Sequence, residues 1–163
     1  MHILVKNKFL YYKDYKVKCA IGKRGINIKK KEGDLITPRG TFKVQSVLYR
    51  KDRVKKLKSN INKIIITKKI GWCDDSKSRK YNKLVKIPFD YSYEKLHKTN
   101  NTYDIILVLD YNMNPIKKNK GSAIFIHVIK KKYSATKGCV AVKKKDLIKL
   151  IGQIDKKTIV KII

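Results

Sequence analysis

Residues 125–142 read FIHVIKKKYSATKGCVAV. The two ends, FIHV and VAV, are short apolar runs rich in β-branched and aromatic residues, and the middle is polar, with Gly138 directly before Cys139. Runs of this length, bounded by turn-forming residues, read as strands rather than helices. The stretch is therefore a strand, a nine-residue polar loop (Val128–Thr136), and a second short strand. It carries one of the chain's three histidines and one of its three cysteines at the inner ends of the two apolar runs.

Working outward, the same kind of segment recurs. Tyr15–Ile21 alternates, placing Val17 and Cys19 on one face, and Thr41–Tyr49 alternates through Phe42 and Val44. Ile61–Thr67, Asp104–Leu109, Ser122–Val128 and Lys157–Ile163 add β-branched runs between polar or Gly/Asn turns. One segment has helical spacing: Leu147, Ile148, Leu150 and Ile151 make one apolar face over Lys143–Ile154, with Asp146 near the positive end of the helix dipole and Gly152 marking its frayed end. Strands and turns at this spacing predict a mainly β sandwich or barrel with a short helix near the C-terminus. There is no internal repeat and no linker-like stretch, so residues 1–163 read as a single domain.

The formal net charge is +30, from 42 basic and 12 acidic residues. A polycation attracts phosphate polymers, acidic glycans and anionic surfaces through a term that salt screens. Only five of the basic residues are arginines, at positions 24, 39, 50, 53 and 79. Base-edge readers favour arginine's planar fork, and here lysines are spread along the whole chain, so the charge does not predict a specific nucleic-acid partner. No apolar run is long enough to cross a membrane as a helix, and the N-terminal residues show no secretory signal. Oligomeric state is not legible.

The three cysteines, Cys19, Cys73 and Cys139, form no C-x-x-C pair, which argues against a disulfide framework and a closed zinc site. Neither a metal nor a cofactor is expected. Cys73 lies beside Asp74 and Asp75, but no second ligand stands at a standard spacing. Cys19 reads as structural, His97 as an exposed residue of a polar stretch, and His2 as a disordered terminal residue. Cys139 and His127 are different in kind. A thiol is a nucleophile only as thiolate, and a nearby imidazole can take its proton. Gly138 permits a backbone geometry that leaves the Gly138 and Cys139 N–H groups aimed at a developing oxyanion. On these residues alone, an inert buried cysteine and a satisfied core histidine stand beside the catalytic reading.

The segment TKGCVA, Thr136–Ala141, preceded by a histidine at the end of an apolar strand, resembles the L,D-transpeptidase catalytic domain of the YkuD type. GDLITPRGTF, Gly33–Phe42, is similar to that family's T-P-x-G-x-F landmark. GWCDD (Gly71–Asp75), Tyr81–Asn82 and GSAIFIHV (Gly121–Val128) resemble one bacterial branch of it. The resemblance implies that Cys139 is the nucleophile and His127 the base, that Gly138 and Cys139 supply oxyanion donors, and that the donor is a peptidoglycan stem peptide. It also implies a periplasmic or cell-envelope setting, with a cytoplasmic one left as the alternative because no secretory signal is visible. Thr136, Arg79, Tyr81 and Asn82 are expected around the substrate, Arg79 as the group that grips a carboxylate from a Trp-anchored loop over the groove. The chain departs from the family at Lys137, where histidine is common, at Ala141, where asparagine or arginine is common, and in a shorter spacer after His127. A lysine beside the sulfur is expected to favour thiolate. The competing reading is a basic β-domain that holds an anionic polymer, with Cys139 inert.

Overall fold

The computed structural model describes residues 2–130 and 132–163, so Lys131 of the loop after His127 lies outside the described residues, as does Met1. The chain forms β1 (His2–Lys6), β2 (Phe9–Tyr12), β3 (Tyr15–Lys18), β4 (Ile26–Asn27), β5 (Thr37–Pro38), β6 (Gly40–Tyr49) and β7 (Lys63–Ile65). There follow β8 (Ile70–Cys73), β9 (Leu84–Lys86), β10 (Tyr93–Lys95), β11 (Ile105–Leu109), β12 (Phe125–Val128), β13 (Val140–Val142), α1 (Lys144–Ile151) and β14 (Ile159–Ile162). The mainly β expectation with one short helix holds.

Most strands form one sheet in the order β13-β12-β11-β6-β14-β1-β2-β3, with β7 also on β6. β6 is long enough to serve two neighbours along one edge: Gly40–Lys43 pairs with β14, and Val47–Tyr49 pairs with β7. The two ends of the order meet. Ala20, just past β3, exchanges both backbone hydrogen bonds with Ala141 of β13 at 2.8 Å, so the sheet curls into a nearly closed barrel. Closure removes the unpaired edges that an open sheet exposes.

Alternation decides what fills it. Ile105, Leu107 and Leu109 of β11 and Ile126 and Val128 of β12 point into the interior, where Leu147, Leu150 and Ile151 of α1 join them. Ile106, Val108 and Phe125 point outward into a second apolar cluster, which Trp72 and Leu96 cover from the small β10-β8-β9 sheet and the segment after it. β11 is thus buried on both faces, which is why it reads as an unbroken apolar run.

Several boundaries differ from expectation. His2 is exposed but belongs to β1, paired with Ile159, so it lies in an ordered strand. Ser122–Val128 is strand only from Phe125, because Ala123 adopts a left-handed φ of +52°. The helix is Lys144–Ile151, ending where the Gly152 N–H donates to the Ile148 carbonyl. Cys19 and Val17 both pack in the interior.

Candidate functional site

β12 and β13 run parallel, with His127 opposite Ala141 and Ile126 opposite Val140. Cys139 immediately precedes β13, and the pleat puts Phe125 and His127 on the outward face. The Phe125 N–H donates to Cys139 Sγ at 3.4 Å, and the thiol donates to the Ala123 carbonyl at 3.1 Å. His127 is buried, its ring packed edge-to-face on Tyr103 with centroids 5.4 Å apart. Its Nδ1 lies 2.9 Å from the Val128 carbonyl. A carbonyl only accepts, so the neutral ring carries its proton on Nδ1 and leaves Nε2 as the basic nitrogen. A main-chain carbonyl thus does the orienting that a carboxylate performs in other cysteine–histidine sites.

His127 and Cys139 both line a cleft of about 480 Å³. Neither is charged at rest. Burial lowers the His127 ring from an ordinary 6.5 to about 4, against the Val128 hydrogen bond, which raises it. Burial likewise pushes the Cys139 thiol up to about 12, opposed by the Phe125 N–H and by the charges of Lys29 and Lys98. Lys137 is exposed on the cleft wall and is not among the groups that shift the sulfur, so the expected lysine-stabilised thiolate gives way to a half-buried thiol.

The glycine before the cysteine has a steric reason. Gly138 sits at φ +141°, and a Cβ there would stand 2.8 Å from the Ile36 carbonyl. The Gly138 N–H already donates to Thr136 Oγ1 at 3.1 Å, and that hydroxyl donates to the Cys139 carbonyl at 2.6 Å. Thr136 is also tied to the chain after β3, its N–H donating to the Ile21 carbonyl and its carbonyl accepting from Lys23. Thr136 lines the cleft, but its polar atoms hold the turn that presents the cysteine.

The other residues expected at the substrate lie elsewhere. Arg79 is exposed and is not part of the cleft wall. Tyr81 is buried, donating to Glu32 and accepting from the Gly121 N–H. Asn82 is buried behind the cleft: its Oδ1 accepts from Trp72 Nε1 and the Ala123 N–H, both at 3.0 Å, and its Nδ2 donates to the Tyr111 and Asn112 carbonyls. Trp72 packs edge-to-face on Phe125 rather than anchoring a loop over the groove. Both arms of Asn82 Oδ1 therefore end at the sulfur, one through Ala123 and one through Trp72 and Phe125. Cys73 is buried in β8, with its Sγ 3.8 Å from the Asp75 carbonyl.

Sequence reasoning missed Ala123 and Tyr103. An alanine with left-handed backbone is strained by roughly 1 kcal/mol or more, and such strain persists only where surroundings enforce it. Here Asn82 and Cys139 hold the two sides of that residue.

The nearly closed barrel thus presents a glycine–cysteine turn beside a strand-borne histidine. The family model of the L,D-transpeptidase catalytic domain, YkuD, matches residues 2–162, and the chain belongs to that family. No curated protein matches it. Members of the family are acyltransferases that act on peptidoglycan stem peptides in the cell envelope. Among the described residues, no helix is long and apolar enough to cross a membrane.

Proposed function

We propose that this chain is an L,D-transpeptidase-type acyltransferase in which Cys139 is the nucleophile and His127 the base. The observation that supports this most directly is the sulfur's setting: it stands in the cleft, held between the Phe125 N–H and the Ala123 carbonyl, beside a histidine whose Nδ1 is fixed by a backbone carbonyl. Substrate entry displaces water. As the sulfur attacks the carbonyl carbon of a stem peptide, its proton moves to His127 Nε2 and then to the departing D-alanine amine. The C–N bond breaks and a thioester forms on Cys139. An amine, or water in a carboxypeptidase reaction, then attacks the thioester, gives its proton to His127, and the thiol is restored. The Cys139 N–H serves as the first oxyanion donor. The Gly138 N–H joins it only if it leaves Thr136 Oγ1.

The resting pair is neutral, so the proton transfer is coupled to attack rather than completed beforehand. Intact-mass measurement of the protein mixed with a disaccharide tetrapeptide tests this reading. The expected result is an acyl adduct that is absent in Cys139→Ala and in His127→Ala. Absence of any adduct or product in the wild type removes the reading.

A further inference from the structure

Beside the catalytic cleft lies a second one, also of about 480 Å³, walled by Arg50, Arg53, Lys68, Lys95, His97 and Lys98, with no carboxylate among its lining residues. The catalytic cleft, by contrast, includes Glu32, Asp74 and Glu94. Basic residues are common in this chain, but two of its five arginines meet here, and both have structural duties. Arg50 grips Asp52 with two nitrogens and donates to the Lys98 carbonyl, while Arg53 grips Asp104 and donates to the Thr99 and Asn100 carbonyls. The backbone of 98–100 is thereby fixed, leaving Lys68, Lys95 and His97 as the groups able to meet a ligand. His97, expected in a simple exposed stretch, is half-buried in this wall.

Lys98 lines both clefts. Its Nζ pairs with Glu94 at 2.5 Å and sits 4.6 Å from the Tyr103 ring centre, and Tyr103 packs on His127, so the basic cleft borders the histidine side of the site. That is the side from which the second substrate must come, because His127 has to take its proton.

We propose that the basic cleft is the acyl-acceptor subsite and that it holds a carboxylate carried on the amine-bearing acceptor. The inference rests on the acyl-transfer reading above. With the carboxylate against Lys68 and Lys95, the acceptor amine reaches the thioester carbonyl past Lys98. Its nitrogen attacks the carbonyl carbon, the amine proton passes to His127 Nε2, the C–S bond breaks, and the proton returns to the sulfur as the new amide leaves.

The test uses the full chain, a disaccharide tetrapeptide donor, and two acceptors: a stem tripeptide with a free side-chain amine and free C-terminal carboxylate, and the same tripeptide amidated at that carboxyl. The wild type is expected to prefer the carboxylate acceptor by about tenfold in kcat/KM. In Lys68→Glu/Lys95→Glu that preference disappears while thioester formation from the donor, read by mass, stays within about twofold. A preference that survives charge reversal overturns the proposal. So does a variant that loses thioester formation, because the cleft would then serve the donor. If the wild type forms no thioester, the acyl-transfer reading has failed instead. Binding of the carboxylate tripeptide to Cys139→Ala protein then decides the subsite alone: it is expected to weaken about tenfold on reversal, and unchanged binding overturns it.

Discussion

Cys139 keeps its proton at neutral pH because burial withholds the water that would solvate a thiolate, and the Ala123 carbonyl accepts the S–H. With its pKa near 12 rather than the usual thiol value of about 8.5, iodoacetamide should alkylate it roughly a hundredfold more slowly at pH 7.5 than a free cysteine, the smaller thiolate fraction outweighing the greater nucleophilicity of a more basic thiolate. The rate should still climb tenfold per unit at pH 9, whereas a plateau below that pH would mean the thiolate is already formed. His127 gives a prediction of the opposite kind. Its folded pKa is about 4 against an ordinary 6.5, so below 6.5 the unfolded chain binds a proton that the folded chain refuses. Its contribution to stability is fully present above pH 6.5 and is lost as pH falls towards 4, about 3 kcal/mol in all. Urea unfolding of wild type and His127→Gln across that window should show the wild type losing stability as pH falls and the variant lacking that extra loss.

At the scale of elements, the site is a short parallel pair, β12 and β13, fixed from behind by a residue on a distant loop. Asn82→Ala leaves a buried indole N–H, a buried amide N–H and two carbonyls without their partner, at a cost of about 3 kcal/mol or more. Acylation by the tetrapeptide should slow at least tenfold with KM little changed, because Asn82 does not line the cleft. A rise in KM with unaltered kcat would return it to a substrate-contacting role. β6, β11 and β12 were legible because their alternation or continuous apolarity follows from which faces are covered. β1 and β2 were not: exposed His2 and Lys6 and the Asn7–Lys8 turn between the strands broke the apolar run that marks a strand, although the inward Ile3, Val5, Leu10 and Tyr12 are all apolar or aromatic. The three-residue strands β9 and β10 are fixed by pairing with β8, which no local pattern records. Cys139 and His127 were visible as an ordered motif. The strain at Ala123 and the brace at Asn82, 41 positions apart, arise only from contact.

Over the whole molecule, a formal charge of +30 on 163 residues makes the folded state repel itself, since folding brings like charges closer. Salt screens such repulsion within about 10 Å at 0.1 M. Raising sodium chloride from about 20 to about 300 mM should therefore stabilise the fold by roughly 1 kcal/mol, read as a Tm increase of about 2–4 °C. An unchanged or lowered Tm would mean that the five ion pairs found among the described residues outweigh the diffuse repulsion.

Ala141 belongs to two ladders at once, facing His127 on one side and Ala20 on the other. The turn that presents Cys139 is likewise sewn to Ile21 and Lys23 through Thr136. The Cys139 turn is therefore assembled where the early and late parts of the chain meet. During synthesis, the first hundred residues emerge without a sulfur poised to react, and a copy nicked before β12 loses the pairing that orients its thiol. On the proposed function, chemical competence arrives with the closing of the barrel, and an unfinished molecule is expected to be inert.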